Sequence, residues 1–175
     1  MKLVTDKTPV RFSYAHVHEP QSMVEGGVKK YSVCVLIPKT NTEQIAKINA
    51  AINAALEEGI KKLGGKIPTV FKNPLRDGDL ERPDNEECVG MMFFNANSTN
   101  PPGLFDAERN AIMDANEFYS GCYGRASVDF YAYNYNGTKG VAVGLNRLQK
   151  LEEGERLSGD SGSAESDFGD DDDML

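Results

Sequence analysis

Tyrosines occupy every second position of one segment near the C-terminal end of the chain, at Tyr131, Tyr133 and Tyr135. In a β-strand this spacing puts all three rings on one face, because successive side chains point to opposite faces. Every nucleobase has a π face that can stack on such a ring, at about 1–3 kcal/mol per base. The chemistry that this spacing predicts is non-covalent stacking on exposed bases.

The segment that carries the tyrosines is predicted to be one arm of a long β-hairpin. Asn136-Gly137 suits a two-residue type I′ turn, which needs positive φ angles at both positions. Apolar residues alternate with the tyrosines before the turn and continue after it, which predicts a core-facing side: Ala126, Val128, Phe130, Ala132, Val141, Val143 and Leu145. Aromatic residues are also common in strands for packing reasons, so the tyrosines could instead lie beneath a helix or a loop.

The rest of the chain predicts a mainly β domain with one main helix. Period-two patterns over 10–15, 31–37 and 88–94 indicate three further strands. Thr40-Asn41-Thr42-Glu43 fits a capping box, and apolar residues then follow at spacings of three and four up to Gly64-Gly65, which predicts one helix. Residues 66–87 contain three prolines and several charges and are expected to be irregular.

The net charge of −8 is unevenly distributed. Residues 152–175 hold ten acidic residues and one basic residue, so residues 1–151 carry a net charge of +1. The Ser/Gly-rich stretch 158–163 is typical of a flexible linker. We therefore expect a folded domain over 1–151 and a flexible acidic tail over 152–175, and the low pI does not exclude a nucleic-acid partner for the domain.

Several blocks of the sequence resemble one family. These blocks are Gly121–Ser127, Phe130–Gly137, Lys139–Leu145, Phe93–Ala96 and Pro102–Asp106. They resemble the signature of a phage and prophage family of single-stranded DNA-binding proteins, first catalogued as a domain of unknown function, over about residues 8–151. The resemblance implies an OB-fold, a five-stranded, partly open β-barrel, and a role in phage DNA replication, recombination or repair.

The acidic tail adds to this resemblance. Phage and bacterial single-strand binders commonly end in an acidic segment with a few apolar residues, and the resemblance implies that this segment docks replication or recombination proteins. The matching positions here are Phe168 and Asp170, Asp171, Asp172 and Asp173, although the chain ends in Met-Leu where the best-known bacterial pattern has an aromatic residue. The alternative is an acidic segment that serves solubility.

These observations define a set of candidate binding residues. The stacking candidates are Tyr123, Tyr131, Tyr133 and Tyr135, with Phe12 or Tyr14 from the first strand, where alternation leaves open which of the two faces outward. The candidates for neutralising phosphates are Arg11, Lys29, Lys30, Arg125 and Lys139. The predicted function is sequence-independent binding of single-stranded DNA.

Motifs for catalysis or metal binding are weak in this sequence. The pair His16 and His18 lacks a third ligand at a recognisable spacing, and Asp77, Asp79 and Glu81 lack the remaining ligands of a calcium loop. No Walker motif, dinucleotide fingerprint or G-x-S-x-G elbow is present. We therefore predict a non-enzymatic protein without cofactor or metal. The rival functions are a protein-interaction module whose tail mimics DNA and a metal-dependent nuclease that uses those three carboxylates.

The sequence also predicts where the protein works. No stretch approaches 18 consecutive apolar residues, and the charged N-terminus does not fit a signal peptide. Three widely spaced cysteines do not form a disulfide framework, and we expect them to be reduced and mostly buried. The expected location is the cytoplasm, that of the host cell if the protein is phage-encoded, with no membrane partner. The sequence leaves a homodimer open.

Overall fold

The structure of the protein is a computed structural model that describes residues 1–22 and 26–157. The tail positions Phe168 and Asp170–Asp173 lie outside the described residues. The described strands are β1 (Lys2–Val4), β2 (Val10–Gln21), β3 (Lys30–Pro38), β4 (Arg76–Asp77), β5 (Met91–Ser98), β6 (Gly103–Phe105), β7 (Tyr123–Tyr135) and β8 (Thr138–Glu152). The helices are α1 (Thr42–Glu58), the single turn α2 (Gly78–Glu81) and a 3₁₀ turn at Glu86–Cys88.

Five of the strands close into a barrel. β2 pairs with β3, β3 with β5, β5 with β8, β8 with β7, and β7 returns to β2. The β5–β8 pairing is parallel and is registered only at Asn97 and Gly144, so the barrel is partly open there. This circuit confirms the predicted OB-fold.

The β7–β8 hairpin follows the predicted alternation. Its turn residues Asn136 and Gly137 have φ angles of 51° and 85°, as a type I′ turn requires. Every residue that the pattern assigned to the core is buried, from Ala126 on β7 to Leu145 on β8. These side chains pack with Phe12, Phe94 and the apolar face of α1 into one core.

The helix begins one residue later than the capping-box pattern predicts. Asn41 is the N-cap, and its side-chain oxygen accepts a hydrogen bond from the backbone N–H of Gln44 at 3.2 Å. Regular helix ends at Glu58 and not at Gly64-Gly65, because the residues after Gly59 form tighter hydrogen-bonded turns. Ile48, Ile52 and Leu56 on the buried face of α1 pack into the barrel core.

Two other expectations need correction. The strand predicted over 88–94 begins at Met91, because Cys88 ends the 3₁₀ turn and Gly90 has a φ of 72°. The region 66–87 is not wholly irregular: it contains β4 and α2, and Lys72 forms an isolated bridge with Gly140. The three cysteines are free and buried, as expected.

Candidate nucleic-acid interface

The tyrosine row lies on the outer face of the hairpin. Tyr131 and Tyr135 are 46% and 75% exposed, whereas Tyr133 is half-buried. The three side chains extend over about 13 Å of strand, from Tyr131 to Tyr135. The structure therefore leaves ring faces open here and does not place the row beneath the helix.

Small residues on β8 lie opposite the tyrosines. Tyr133 is registered with Gly140, where an added Cβ would lie 2.6 Å from the Tyr133 hydroxyl oxygen. The end of the Tyr133 ring therefore lies directly over the Gly140 backbone, where any larger residue would displace the ring. The Tyr131 ring lies over Gly144 with more room, since a Cβ there would be 3.7 Å away. Contact with the strand below limits how these rings can turn.

A polar surface adjoins the tyrosines on the outside of the barrel. One row of registered positions crosses five strands at Asp129, Gly144, Asn97, Ser32 and His16. All five are partly exposed, whereas at least one neighbour of each along its strand is buried in the core: Val128 and Phe130, Val143 and Leu145, Ala96, Val33, and Val17. OB-folds bind oligonucleotides on the face formed by the second and third strands of the barrel, which are β3 and β5 here. This open part of the sheet therefore continues the surface that the tyrosine row begins.

The other part of the β3–β5 outer face is covered. The segment that contains β4, α2 and the 3₁₀ turn packs over Cys34, Leu36 and Phe93 and forms a second small core with Cys88. The Arg82 guanidinium lies 4.3 Å from the Phe93 ring centroid and 5.2 Å from that of Tyr14. Burial raises the pKa of the Cys34 thiol to about 12, so this thiol stays protonated at neutral pH.

The first-strand candidates separate on opposite sides of the sheet. Phe12 is completely buried and packs against Phe118 at 5.2 Å between ring centroids, so its assignment as a stacking residue is corrected to a core residue. Tyr14 packs into the second small core, and its hydroxyl accepts a hydrogen bond from Asn85 Nδ2 at 3.3 Å. Tyr14 is partly exposed, with one ring face toward Arg82.

Tyr123 lies away from the tyrosine row. It is at the start of β7, about 26 Å of strand from Tyr131. The Arg11 guanidinium lies 5.3 Å from its ring centroid, and Gly154 packs on its edge. Tyr123 thus belongs to the end of the barrel where the chain leaves β8.

The five predicted phosphate-binding cations differ in what they already bind. Lys29 and Lys30 are exposed at the end of the β2–β3 loop, which is a binding loop in OB-folds. Arg11 and Lys139 instead donate to backbone carbonyls: Arg11 to those of Gly121 at 3.1 Å and Glu155 at 2.9 Å, and Lys139 to that of Leu63 at 2.9 Å. These two cations hold loops in place.

Arg125 makes one hydrogen bond within the protein and also faces a surface cavity. Its Nε donates to the carbonyl of Thr5 at 2.9 Å, and its side chain lines a surface cavity between β1 and β6. The terminal guanidinium nitrogens form no ion pair with any described carboxylate.

Lys72 is a cation at the tyrosine row that the sequence did not indicate. Its backbone bonds Lys139 and Val141, which places its exposed side chain beside Gly140 and the Tyr133 ring. Nothing in the proline-containing stretch around Lys72 predicts this pairing. The polar residues within β5 were visible as interruptions of an apolar run, at Asn95 and Asn97.

The acidic residues of 77–81 are bound to cations of the same region. Lys39 Nζ lies 2.7 Å from carboxylate oxygens of both Asp77 and Asp79, and Arg76 pairs with Glu81 at 2.9 Å. Hydrogen bonds from Lys39 lower the pKa of both aspartates. These ion pairs give the three carboxylates a structural role: they hold the segment that contains β4 and α2 in place over the outer face of β3 and β5.

The histidine pair has an equally local explanation. His18 Nε2 donates to the carbonyl of Phe118 at 2.8 Å, and His16 lies in the polar row. Within residues 1–22 and 26–157, no three His, Cys, Asp or Glu side chains are grouped so that they could hold a metal ion.

The whole chain, residues 1–175, matches the model of a family described as Enterobacter phage Enc34, ssDNA-binding protein. The chain belongs to this family. Protein p50 of Acyrthosiphon pisum secondary endosymbiont phage 1 is 31% identical over 168 residues, covering 92% of this chain and 90% of that relative.

Solved structures of phage proteins have the same fold. The single-stranded DNA-binding protein from bacteriophage Enc34, solved in complex with ssDNA, is 26% identical with a TM-score of 0.72, over 90% of this chain and 88% of that one. The T7 protein gp2.5, a single-stranded DNA-binding protein, is 14% identical with a TM-score of 0.60, over 97% and 93% of the two chains. The latter likeness shows the fold alone.

None of the helices in the described parts of the chain has the length and apolar character needed to cross a membrane.

Proposed function

We propose that this member of the family is a non-enzymatic, sequence-independent single-stranded DNA-binding protein that protects single strands in phage or prophage DNA replication, recombination or repair. The observation that carries the proposal is the row of Tyr131, Tyr133 and Tyr135 beside the polar part of the β3–β5 face. The rings of Tyr131 and Tyr135 are exposed, and that of Tyr133 is half-buried. Family membership and the Enc34 relative solved with ssDNA support it. Its place of action would be the cytoplasm of the host cell.

Two kinds of contact would provide the affinity. Bases stack on the tyrosine rings, which requires no sequence readout because every base has a π face. Lys72 beside the row, with the exposed Lys29 and Lys30 at the end of the β2–β3 loop, neutralises phosphates and releases counterions. The stacking component distinguishes an unpaired strand from a duplex, whose bases are already stacked on each other.

The test of the proposed function is a comparison of single-stranded and duplex DNA. At moderate salt, a labelled oligo-dT should bind far more tightly than a duplex of the same length, and unlabelled duplex should compete poorly in fluorescence anisotropy. The same titration with and without magnesium separates the rivals. A protein-interaction module would show no affinity for oligo-dT, and a nuclease would degrade it when magnesium is added. Equal competition by duplex would mean that binding is electrostatic and that the tyrosines do not stack.

We also propose that the acidic tail competes with DNA and docks replication or recombination proteins. Its point of origin supports the competition with DNA, because the preceding residues are held against the barrel: Leu157 N–H donates to the Ser120 carbonyl at 3.0 Å, and the Arg156 guanidinium lies 4.3 Å from the Tyr119 ring centroid. A chain of 18 residues extends at most roughly 60 Å, enough to reach the tyrosine face. Tethering keeps its seven carboxylates at high effective concentration near the domain.

Deletion of residues 158–175 should therefore raise affinity for oligo-dT, with the largest effect at low salt, where charges are least screened. Duplex binding should increase proportionally more, because it lacks the stacking contribution. A salt titration of both DNAs with full-length and shortened protein measures this. If the full-length and shortened proteins give the same binding curves at every salt concentration, the tail does not compete with DNA. Its role would then be partner docking or solubility.

A further inference from the structure

Three arginines that are distant in sequence converge on one surface cavity beside the hairpin. Arg125 on β7, Arg147 on β8 and Arg109 in the loop after β6 line a space of about 170 Å³. Its remaining wall is largely apolar, with Val4, Phe105 and Leu148. Phe105 is partly exposed, so part of its ring is open.

These three arginines have no ion-pair partner in the part of the chain that the structure describes. Ser127, registered opposite Arg147, also lines the cavity, and its buried Oγ has no hydrogen-bond partner in the described structure. Like charges beside an apolar wall repel each other, and an anion in the cavity would relieve that repulsion.

A second surface cavity lies between this one and the tyrosine row along β7. Arg147 also lines a neighbouring polar cavity with Lys2, Asn100 and Asp129. Asp129 lies two residues from Tyr131 on β7, and Arg125 is about 20 Å of strand from that tyrosine. The carboxylate of Asp129 on this path accepts a hydrogen bond from Asn146 Nδ2 at 3.1 Å, and the Lys2 cation is registered opposite it.

We propose that this cavity is a second contact zone for the same DNA strand, in which the arginines bind phosphate and Phe105 with its apolar neighbours contacts a base. The proposal rests on the proposed function and extends the site from the tyrosines along β7 and β8. A nucleotide fits the cavity because it combines a flat apolar ring with a phosphate. The second cavity, which shares Arg147 and reaches Asp129 two residues from Tyr131, favours a nucleotide over an acidic peptide, and the acidic tail is the alternative occupant.

The test compares oligonucleotides of two lengths. Oligo-dT of about 5 and about 12 nucleotides fall at the lower and upper parts of the range that one OB-fold covers. The double variant Arg109→Gln/Arg147→Gln should bind the longer strand about tenfold more weakly than the unchanged protein and the shorter strand within about twofold, because the short strand is held by the tyrosines. The double variant Lys7→Gln/Lys47→Gln removes two charges from exposed lysines that line neither cavity and is the control for non-specific charge loss, although Lys47 also pairs with Asp6.

A second background separates DNA from the tail as the occupant. The double variant is repeated in full-length protein whose Asp170, Asp171, Asp172 and Asp173 are changed to asparagine. The length-dependent loss should persist there. The proposal is overturned if both lengths are affected equally, if neither is affected, or if the effect disappears in the asparagine background, which would assign the cavity to the tail. Absence of binding by the unchanged protein would instead overturn the proposed function.

Discussion

Tyr131→Ala and Tyr133→Ala should each weaken binding of oligo-dT by about 1–3 kcal/mol, and the double variant should lose more than either alone. Each substitution removes one ring from the outer face of β7, where Tyr131 is 46% exposed and Tyr133 covers Gly140. Neither ring belongs to the barrel core, so the fold should remain. Fluorescence anisotropy gives the affinity, and thermal unfolding gives the stability of the same samples.

The matched controls keep the ring or remove one elsewhere. Tyr131→Phe and Tyr133→Phe lose only the hydroxyl and should bind nearly as tightly as the unchanged protein. Tyr123→Ala removes a tyrosine about 26 Å of strand from Tyr131 and should affect a short strand held at the row much less. If the double alanine variant binds oligo-dT with unchanged affinity, the row does not contact the DNA.

Phe12→Ala should destabilise the protein by about 3–5 kcal/mol without weakening DNA binding by the molecules that remain folded. Phe12 has no exposed surface and packs on Phe118, and the cavity left by its ring can collapse only partly. Urea unfolding of this variant beside Tyr131→Ala gives the comparison, since the exposed tyrosine should change stability by no more than about 0.5 kcal/mol.

The two variants thus have opposite effects on stability and affinity. The affinity of Phe12→Ala for oligo-dT is measured in buffer without urea, at a temperature at which circular dichroism shows that the variant is folded. If Phe12→Ala lost much of its affinity for oligo-dT while its free energy of unfolding stayed unchanged, Phe12 would contact the DNA and would not be a core residue.

The hairpin and the helix could be read from the sequence because their signals are local. Asn136-Gly137 sets the turn through the φ angles of two adjacent residues, and strict alternation on either side decides which side chains face the core. The same alternation placed Tyr131 and Tyr135 on the open face. In α1, spacings of three and four define the buried stripe through the geometry of one turn of helix.

Alternation could not separate Phe12 from Tyr14, because residues two apart share a face in a regular strand. The pairing of β2 with β3 shifts between Ser13 and His16, and Tyr14 has a φ of 46°. This irregularity places Phe12 in the barrel core and Tyr14 in the small outer core. It depends on how β3 and the covering segment pack against β2, which no local pattern encodes.

The surroundings of the tyrosine row were decided by tertiary structure. Lys72 reaches Tyr133 through a bridge to β8, and Arg11 and Lys139 are occupied by carbonyls far away in the chain. Arg109 and Arg147 share a cavity with Arg125 because β6, β7 and β8 meet there. Residue type and spacing determined which side chains could stack or carry charge. Contacts between residues distant in sequence decide which cationic side chains remain available and which aromatic ring each one lies beside. Only closure of the barrel brings these residues together.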